Sequence, residues 1–327
     1  MRKIVATALT LLCLCPALSG CNPPVQKDEA EKMSIVEENG FLSVKESKLV
    51  NQNGNPIVLK GVSLGWHNWW GRFFNQSCIK TLANDWNADI VRAAIGVEPD
   101  NAYLDNPQYA LSCLYEVVDG AIQNGIYVII DWHSHGIHQE EAIEFFEKVA
   151  RKYNGTPNVL YEIFNEPVDD SWDDVKQYSE AVIAAIRAID KQAIIIVGSP
   201  HWDQDIHLAA DNPIEGYSNI MYSLHFYAGS HKQDLRDRAN YALKKGLPLF
   251  VSECAGMNAD GDGPIDMNEW NRWLEWTNRE SLSWIAWAIA DKNETCSMIM
   301  PNGSSSGPWP DSELKEWGIM VKKHLHQ

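Results

Sequence analysis

Two carboxylates stand where apolar runs stop. Residues 158–167 read "NVLYEIFNEP", an aliphatic and aromatic run closed by Asn165-Glu166-Pro167, and residues 247–253 read "LPLFVSE", closed by Glu253. A buried strand that ends on a charged side chain holds that charge in a fixed direction. Pro167 lacks an N–H and restricts the residue before it, which keeps Glu166 out of a helix start. Paired carboxylates on one cleft suit cleavage of a glycosidic bond: one gives a proton to the leaving oxygen, and the other attacks or activates water. Burial among tryptophans is expected to raise the pKa of the acid, while a nearby arginine keeps the second carboxylate ionised.

The elements that must hold these groups follow a regular beat. Apolar, β-rich runs cover 57–64, 89–95, 126–132, 159–164, 193–198, 220–226, 247–253 and 283–289. Between them lie helical patterns such as 138–153 and 173–190, with apolar residues three and four apart. Near-continuous apolar strands alternating with amphipathic helices mean a parallel sheet covered by helices. Eight such units predict an α/β fold, a single (β/α)8 TIM barrel. An open doubly wound sheet is the structural rival, but it usually has fewer strands, and no GxGxxG follows the first run.

In a barrel the chemistry gathers at the C-terminal ends of the strands, and polar residues gather there in this chain. Arg92 interrupts the second strand, and Asp131-Trp132-His133 closes the third. Asn165-Glu166 closes the fourth, and His201-Trp202 follows the fifth. His225 and Tyr227 end the sixth, Glu253 the seventh, and Trp287 lies in the eighth. Any one of them is explained by a helix cap or a satisfied core histidine; the repetition on seven strands is not.

Composition narrows the partner. The formal charge is −17 over 327 residues. That surplus excludes nucleic acid, whose phosphates need a basic surface, and disfavours an acidic polysaccharide. The 14 Trp point to carbohydrate, whose C–H faces pack on aromatic rings.

The first residues are not part of the fold. "MRKIVATALTLLCLCPALSGC" has a basic start, a short apolar stretch and a small-residue exit. "LSGC" at 18–21 resembles the lipobox of bacterial lipoproteins, which implies a signal peptide over 1–20 and acylation of Cys21. Residues 21–40 then read as a charged tether and 41–327 as the catalytic domain. "KDE" after Cys21 resembles the acidic tags of lipoproteins sent to the outer cell surface. The implied location is the outer membrane, facing outward, with the lipid as the only membrane contact. Four cysteines remain: Cys78, Cys113, Cys254 and Cys296. None has zinc-ligand spacing, and a Cys78–Cys113 disulfide is compatible with neighbouring helices.

"YEIFNEP", "RAA" (92–94), "IDWHSH" (130–135), "HFYAGSH" (225–231) and "FVSE" (250–253) together resemble the bacterial endoglucanases of glycoside hydrolase family 5. The likeness runs in order from residue 41 to the C-terminus. It implies a retaining endo-β-1,4-glucanase with Glu166 as general acid/base and Glu253 as nucleophile. It further implies that Asn165 holds the 2-hydroxyl of the sugar, and that Arg92 and Tyr227 hydrogen-bond Glu253. His133 and His225 would line the same subsite and Trp287 would be the sugar platform. Trp69 and Trp202 match aromatic positions along the cleft, and Lys292 and Glu294 match polar contacts to a neighbouring sugar. No cofactor or metal is implied, and a monomer is expected. Mixed-linkage β-glucan, glucomannan, xyloglucan and xylan are alternative substrates.

Three departures from the family pattern bear on the cleft. Cys254-Ala255 replaces the common Trp-Gly, which alters the cleft floor. Gly65 stands where relatives often carry a histidine, with His67 two places later. Gly96 stands at a position that is aromatic in some relatives, which suggests a more open cleft. Two rival functions remain. "HSH" at 133–135 with Asp131 would serve as metal ligands in an amidohydrolase-like barrel, where such a pair normally closes the first strand. A surface glycan-binding lipoprotein would keep the barrel and lose a carboxylate.

Overall fold

A computed structural model of the chain describes residues 33–327. Eight parallel strands close into a barrel. They are β1 (Lys60–Leu64), β2 (Ile90–Gly96), β3 (Tyr127–His133), β4 (Val159–Glu162), β5 (Ile195–Val197), β6 (Ile220–Tyr227), β7 (Leu249–Ala255) and β8 (Trp284–Ile289). Each pairs with its neighbours in sequence, and β8 closes on β1 with Trp284 opposite Lys60 and Ile285 opposite Gly61. All eight expected runs are strands. The principal helix after each is α1 (Gln76–Asn84), α2 (Pro107–Gln123), α3 (Gln139–Tyr153), α4 (Trp172–Ile189), α5 (Ile206–Asp211), α6 (Gln233–Lys244), α7 (Met267–Glu280) and α8 (Glu316–Leu325).

The helices form where pattern and cap agree. In α4, Ser171 accepts from the Asp174 N–H at the N-terminus, and Trp172, Val175, Tyr178, Val182, Ile183 and Ile186 are buried along one stripe. That stripe joins the outer faces of the strands in the larger of two cores. The smaller core lies inside the barrel and contains Ile90, Tyr127, Ile129, Leu160, Ile196, Met221, Phe250 and Ile285. Strands buried on both faces explain the unbroken apolar runs.

Residues ahead of 41, expected to belong to the tether, are in part structured. Ile35–Asn39 form a helix with a capping box between Ser34 and Glu37. Val36 and Leu42 pack into the inner core beside Leu49, from a hairpin that pairs Ser43–Lys45 with Lys48–Val50. The Val36 N–H donates to Gly125 O (3.1 Å), and Tyr127 Oη donates to Gly40 O (2.8 Å). The exposed apolar floor of a barrel must be covered, and this segment covers it. The signal peptide and Cys21 lie outside the described residues.

Cys78, Cys113, Cys254 and Cys296 are buried free thiols, so the suggested Cys78–Cys113 bridge is not formed. Gly61 is required by close approach: a Cβ there would lie 1.8 Å from Ile90 O on the adjoining strand. Gly61→Ala is therefore expected to cost about 3 kcal/mol, read as a lowered midpoint in thermal unfolding. An unchanged midpoint would contradict the β1–β2 register.

Candidate active site

Alternation along each strand builds the site. On β2, Ile90 belongs to the inner core and Arg92, two residues on, to the layer above it. The same step separates Ile129 from Asp131 on β3, Leu160 from Glu162 on β4, Met221 from Ser223 on β6 and Phe250 from Ser252 on β7. Arg92, fully buried, is the hub of that layer. Its Nε donates to Glu162 Oε2 (2.6 Å), Nη1 to Glu253 Oε2 (2.9 Å) and Nη2 to Asn165 Oδ1 (2.6 Å), with Asp131 Oδ2 at 3.0 Å from Nη2. β7 shifts register against β6 between Ser223 and His225, and the bulge lets both Ser252 and Glu253 face inward. Ser252 Oγ meets Ser223 Oγ (2.6 Å) and His225 Nε2 (3.1 Å), while Tyr227 Oη donates to Glu253 Oε1 (2.7 Å).

Glu166 is fixed although β4 ends four residues before it. The Ile163 N–H donates to Ile196 O and the Asn165 N–H to Trp132 O, both at 3.0 Å, and the Glu166 N–H to Ser134 O at 3.2 Å. The carboxylate meets His225 Nδ1 at 2.8 Å and His135 Nε2 at 3.2 Å. Carboxylate oxygens of Glu166 and Glu253 and a ring nitrogen of His225 all lie within 4.8 Å of one another.

A cleft runs to both sides of this pair. One side, a cavity of about 280 Å³, is lined by Trp66, Trp69, Trp70, Trp287, Lys292 and Glu294, with His133 at its base. The other, of about 550 Å³, is lined by His201, Trp202, Gln204, His225 and His231. Both share His135, Glu166, Tyr227 and Glu253. Trp69 and Trp202 are 56% and 41% exposed, so each offers an open ring face. Trp287 lies parallel to His133 with ring centroids 5.2 Å apart, and Lys292 pairs with Glu294. The structure thus brings together the two catalytic and ten sugar-binding candidates named in the sequence, with Arg92 and Asn165 beneath the cleft.

The comparisons with known proteins agree on one family. The sequence model of cellulase (glycosyl hydrolase family 5) matches residues 50–293. The chain belongs to glycosyl hydrolase family 5. This family 5 hydrolase is 41% identical over 293 residues to an endoglucanase of Clostridium saccharobutylicum, covering 88% of this chain and 65% of that one. A solved structure from Cytophaga hutchinsonii superposes with a TM-score of 0.88 at 44% identity, covering 90% of this chain and 97% of that one. The catalytic domain of Thermobifida fusca endoglucanase Cel5A, solved in complex with cellotetraose, superposes with a TM-score of 0.85 at 31% identity, covering 90% and 100%. The chain spans about two thirds of the length of the curated relatives it matches.

Several expectations about the family 5 cleft change once side chains are placed. Gly96 does not open it: the Trp66 ring lies against Gly96, 2.7 Å from where a Cβ would stand, and crosses His133 edge-on at 4.3 Å. His67 replaces no cleft histidine. It is buried, accepts from the Gly96 N–H at Nδ1 (3.0 Å), and burial lowers its pKa to about 4. Cys254 leaves the cleft floor unaltered, because it faces the outer core and its thiol donates to Ile285 O. Asp131, His133 and His135 do not converge as metal ligands: His133 Nδ1 meets Asp131 Oδ2 (2.7 Å), whereas His135 turns to Glu166. Among the described residues, the one group spaced to hold a cation is Glu166, His225 and Glu253.

The electrostatic order of the two carboxyls in this hydrolase is the reverse of the one expected. Burial works to raise the Glu166 pKa, but the hydrogen bonds and charge of His135 and His225 outweigh it and hold the group at about 2. Glu253 is raised by burial and by Glu166, against the pull of His225, Arg92 and Tyr227. The expectation counted tryptophans and overlooked two imidazoles, only one of them on an expected strand end.

Proposed function

We propose that the chain is an endo-β-1,4-glucanase that cleaves with retention, with Glu253 as nucleophile and Glu166 as acid/base. The observation that carries this reading is the placement of two carboxylates across a cleft open on both sides. An oxygen of one lies within 4.8 Å of an oxygen of the other, which suits the close spacing of retaining enzymes (roughly 5–5.5 Å) better than the roughly 6.5–9.5 Å of inverting ones. Glu253 attacks the anomeric carbon while Glu166 protonates the leaving oxygen, giving a glycosyl ester on Glu253. Water, deprotonated by Glu166, then attacks that carbon from the opposite face and releases Glu253. Arg92 and Tyr227 donate to Glu253 and aim it. Asn165 holds the sugar 2-hydroxyl, His133 and His225 line that subsite, and Trp287 carries the sugar ring. Trp69 with Lys292 and Glu294 extends the cleft on one side, and Trp202 extends it on the other. The endoglucanase names of the relatives and the cellotetraose bound to the Thermobifida fusca enzyme support β-1,4-glucan as the substrate.

The test is release of reducing ends together with viscosity on carboxymethyl cellulose, barley β-glucan, glucomannan, xyloglucan and xylan. Rapid viscosity loss on the two glucans is expected. Activity on another backbone alone would keep the mechanism and change the substrate; silence on all five favours a glycan-binding protein.

The N-terminal sequence supports export as a lipoprotein, cut before Cys21, acylated there and held in the outer membrane facing outward as a monomer. Labelled palmitate incorporation that survives in Cys21→Ser would count against it.

A further inference from the structure

The loop after β5 turns in an uncommon way. His201, Trp202 and Asp203 have φ of 58°, 53° and 59°, all in the left-handed region that side chains with a Cβ avoid. The turn sends neighbouring side chains apart: Trp202 opens on the cleft and Asp203 is fully buried. The Trp202 N–H donates to Pro167 O (3.0 Å), which ties the turn to the segment carrying Glu166. The Ser199 N–H donates to Asp203 Oδ1 (2.5 Å). Asp203 Oδ2 has no hydrogen bond of good geometry and lies 3.3 Å from His225 Nε2. On its other nitrogen, His225 meets Glu166 at 2.8 Å. A buried carboxylate, an imidazole and the cleft carboxylate therefore stand in line.

A buried carboxylate beside an imidazole favours the protonated ring. We propose that Asp203 is a positioning residue that keeps a proton on His225, from which Glu166 is supplied; this rests on the acid/base role given to Glu166 above. The proton passes from His225 Nδ1 to Glu166 Oε1, and Glu166 gives a proton to the leaving oxygen. When water attacks the glycosyl ester, Glu166 takes the water proton and returns it to His225. Asp203 neither gives nor takes a proton in these steps, and no proton is gained or lost over the cycle.

Other charged groups also face His225. Glu162 and Glu166 reinforce Asp203 from β4 and the loop beyond, Glu253 from β7 and Asp131 from β3, while the cationic or imidazole groups of His133, His231 and Arg92 oppose them. Burial disfavours the charged ring, but Asp203 and the glutamates hold His225 well above the usual imidazole range. Burial pushes the Asp203 carboxyl up to about 8, with His225 pulling the other way.

The test compares the full chain with Asp203→Asn, which keeps an acceptor for the Ser199 N–H, and with Asp203→Ser as a second variant. The His225 ring is titrated by nitrogen-15 histidine NMR, its signal assigned by loss in His225→Gln. Removing the negative charge lowers proton affinity nearby, so the His225 titration is expected to fall by about 1–3 pH units. The alkaline limb of kcat/KM on soluble β-glucan should fall with it. On dinitrophenyl cellobioside, whose leaving group needs no proton, that limb should not move. An unchanged His225 titration in both variants overturns the proposal, as does an equal limb shift on both substrates. If the wild-type chain cleaves no glucan, the acid/base reading fails, and the titration then judges Asp203 by itself.

Discussion

Glu253→Ala is expected to lower kcat on β-glucan by roughly 10⁴–10⁶-fold, because removing a covalent nucleophile removes the reaction path and leaves only binding and polarisation. The vacated space also gives a positive signature. Glu253 reaches the cleft beside Arg92 Nη1 and the Tyr227 hydroxyl, two donors left free to hold a small anion. Added azide should then restore cleavage of an activated aryl cellobioside and yield the α-glycosyl azide, since it attacks from the face that Glu253 used. Glu166→Ala should behave in the opposite way. The activated substrate still glycosylates Glu253, the intermediate accumulates, and azide releases the β-glycosyl azide. Product configuration read by proton NMR separates the two roles; β-azide from the Glu253 variant would exchange them.

Arg92→Leu is expected to be the most damaging single change to the fold. The guanidinium touches Asp131, Glu162 and Glu253, and every one of those side chains is buried. Breaking a buried ion pair from one side costs about 3–5 kcal/mol, and here three carboxylates lose one partner. The loss should depend on pH with a definite sign. Without the arginine, the folded-state pKa values of the three acids rise above their unfolded values of about 4. The variant is then penalised least below that pH, where both states are protonated, and the penalty is complete once pH passes the raised folded values. The gap in unfolding midpoint between wild type and variant should widen from pH 4 to pH 8. A constant gap would mean that Arg92 acts through packing alone.

The strands and their polar tips were legible because both faces of each strand are buried, so eight apolar runs stood out and the charges closing them were conspicuous. Partnerships between strands were not. "LYE" gives no sign that Glu162 meets Arg92 until Ile90 and Leu160 are known to share a layer, which only the register supplies. The bulge that turns both Ser252 and Glu253 inward breaks the alternation a reader would count. His135 was passed over as the second half of a metal-like pair, and Asp203 lies in a left-handed turn that no local pattern announces. Trp66 was one of three tryptophans within residues 66–70; only its seat on Gly96 distinguishes it.

The chain enters this barrel through its floor. Residues 34–50 pack against the N-terminal ends of the strands, while every side chain of the cleft rises from the opposite ends. Direction of synthesis is thereby converted into direction of presentation. A support coupled directly at residue 34 would hold the barrel by its base and leave the cleft at the far end. A polymer far larger than the enzyme can then be laid across it without meeting the handle.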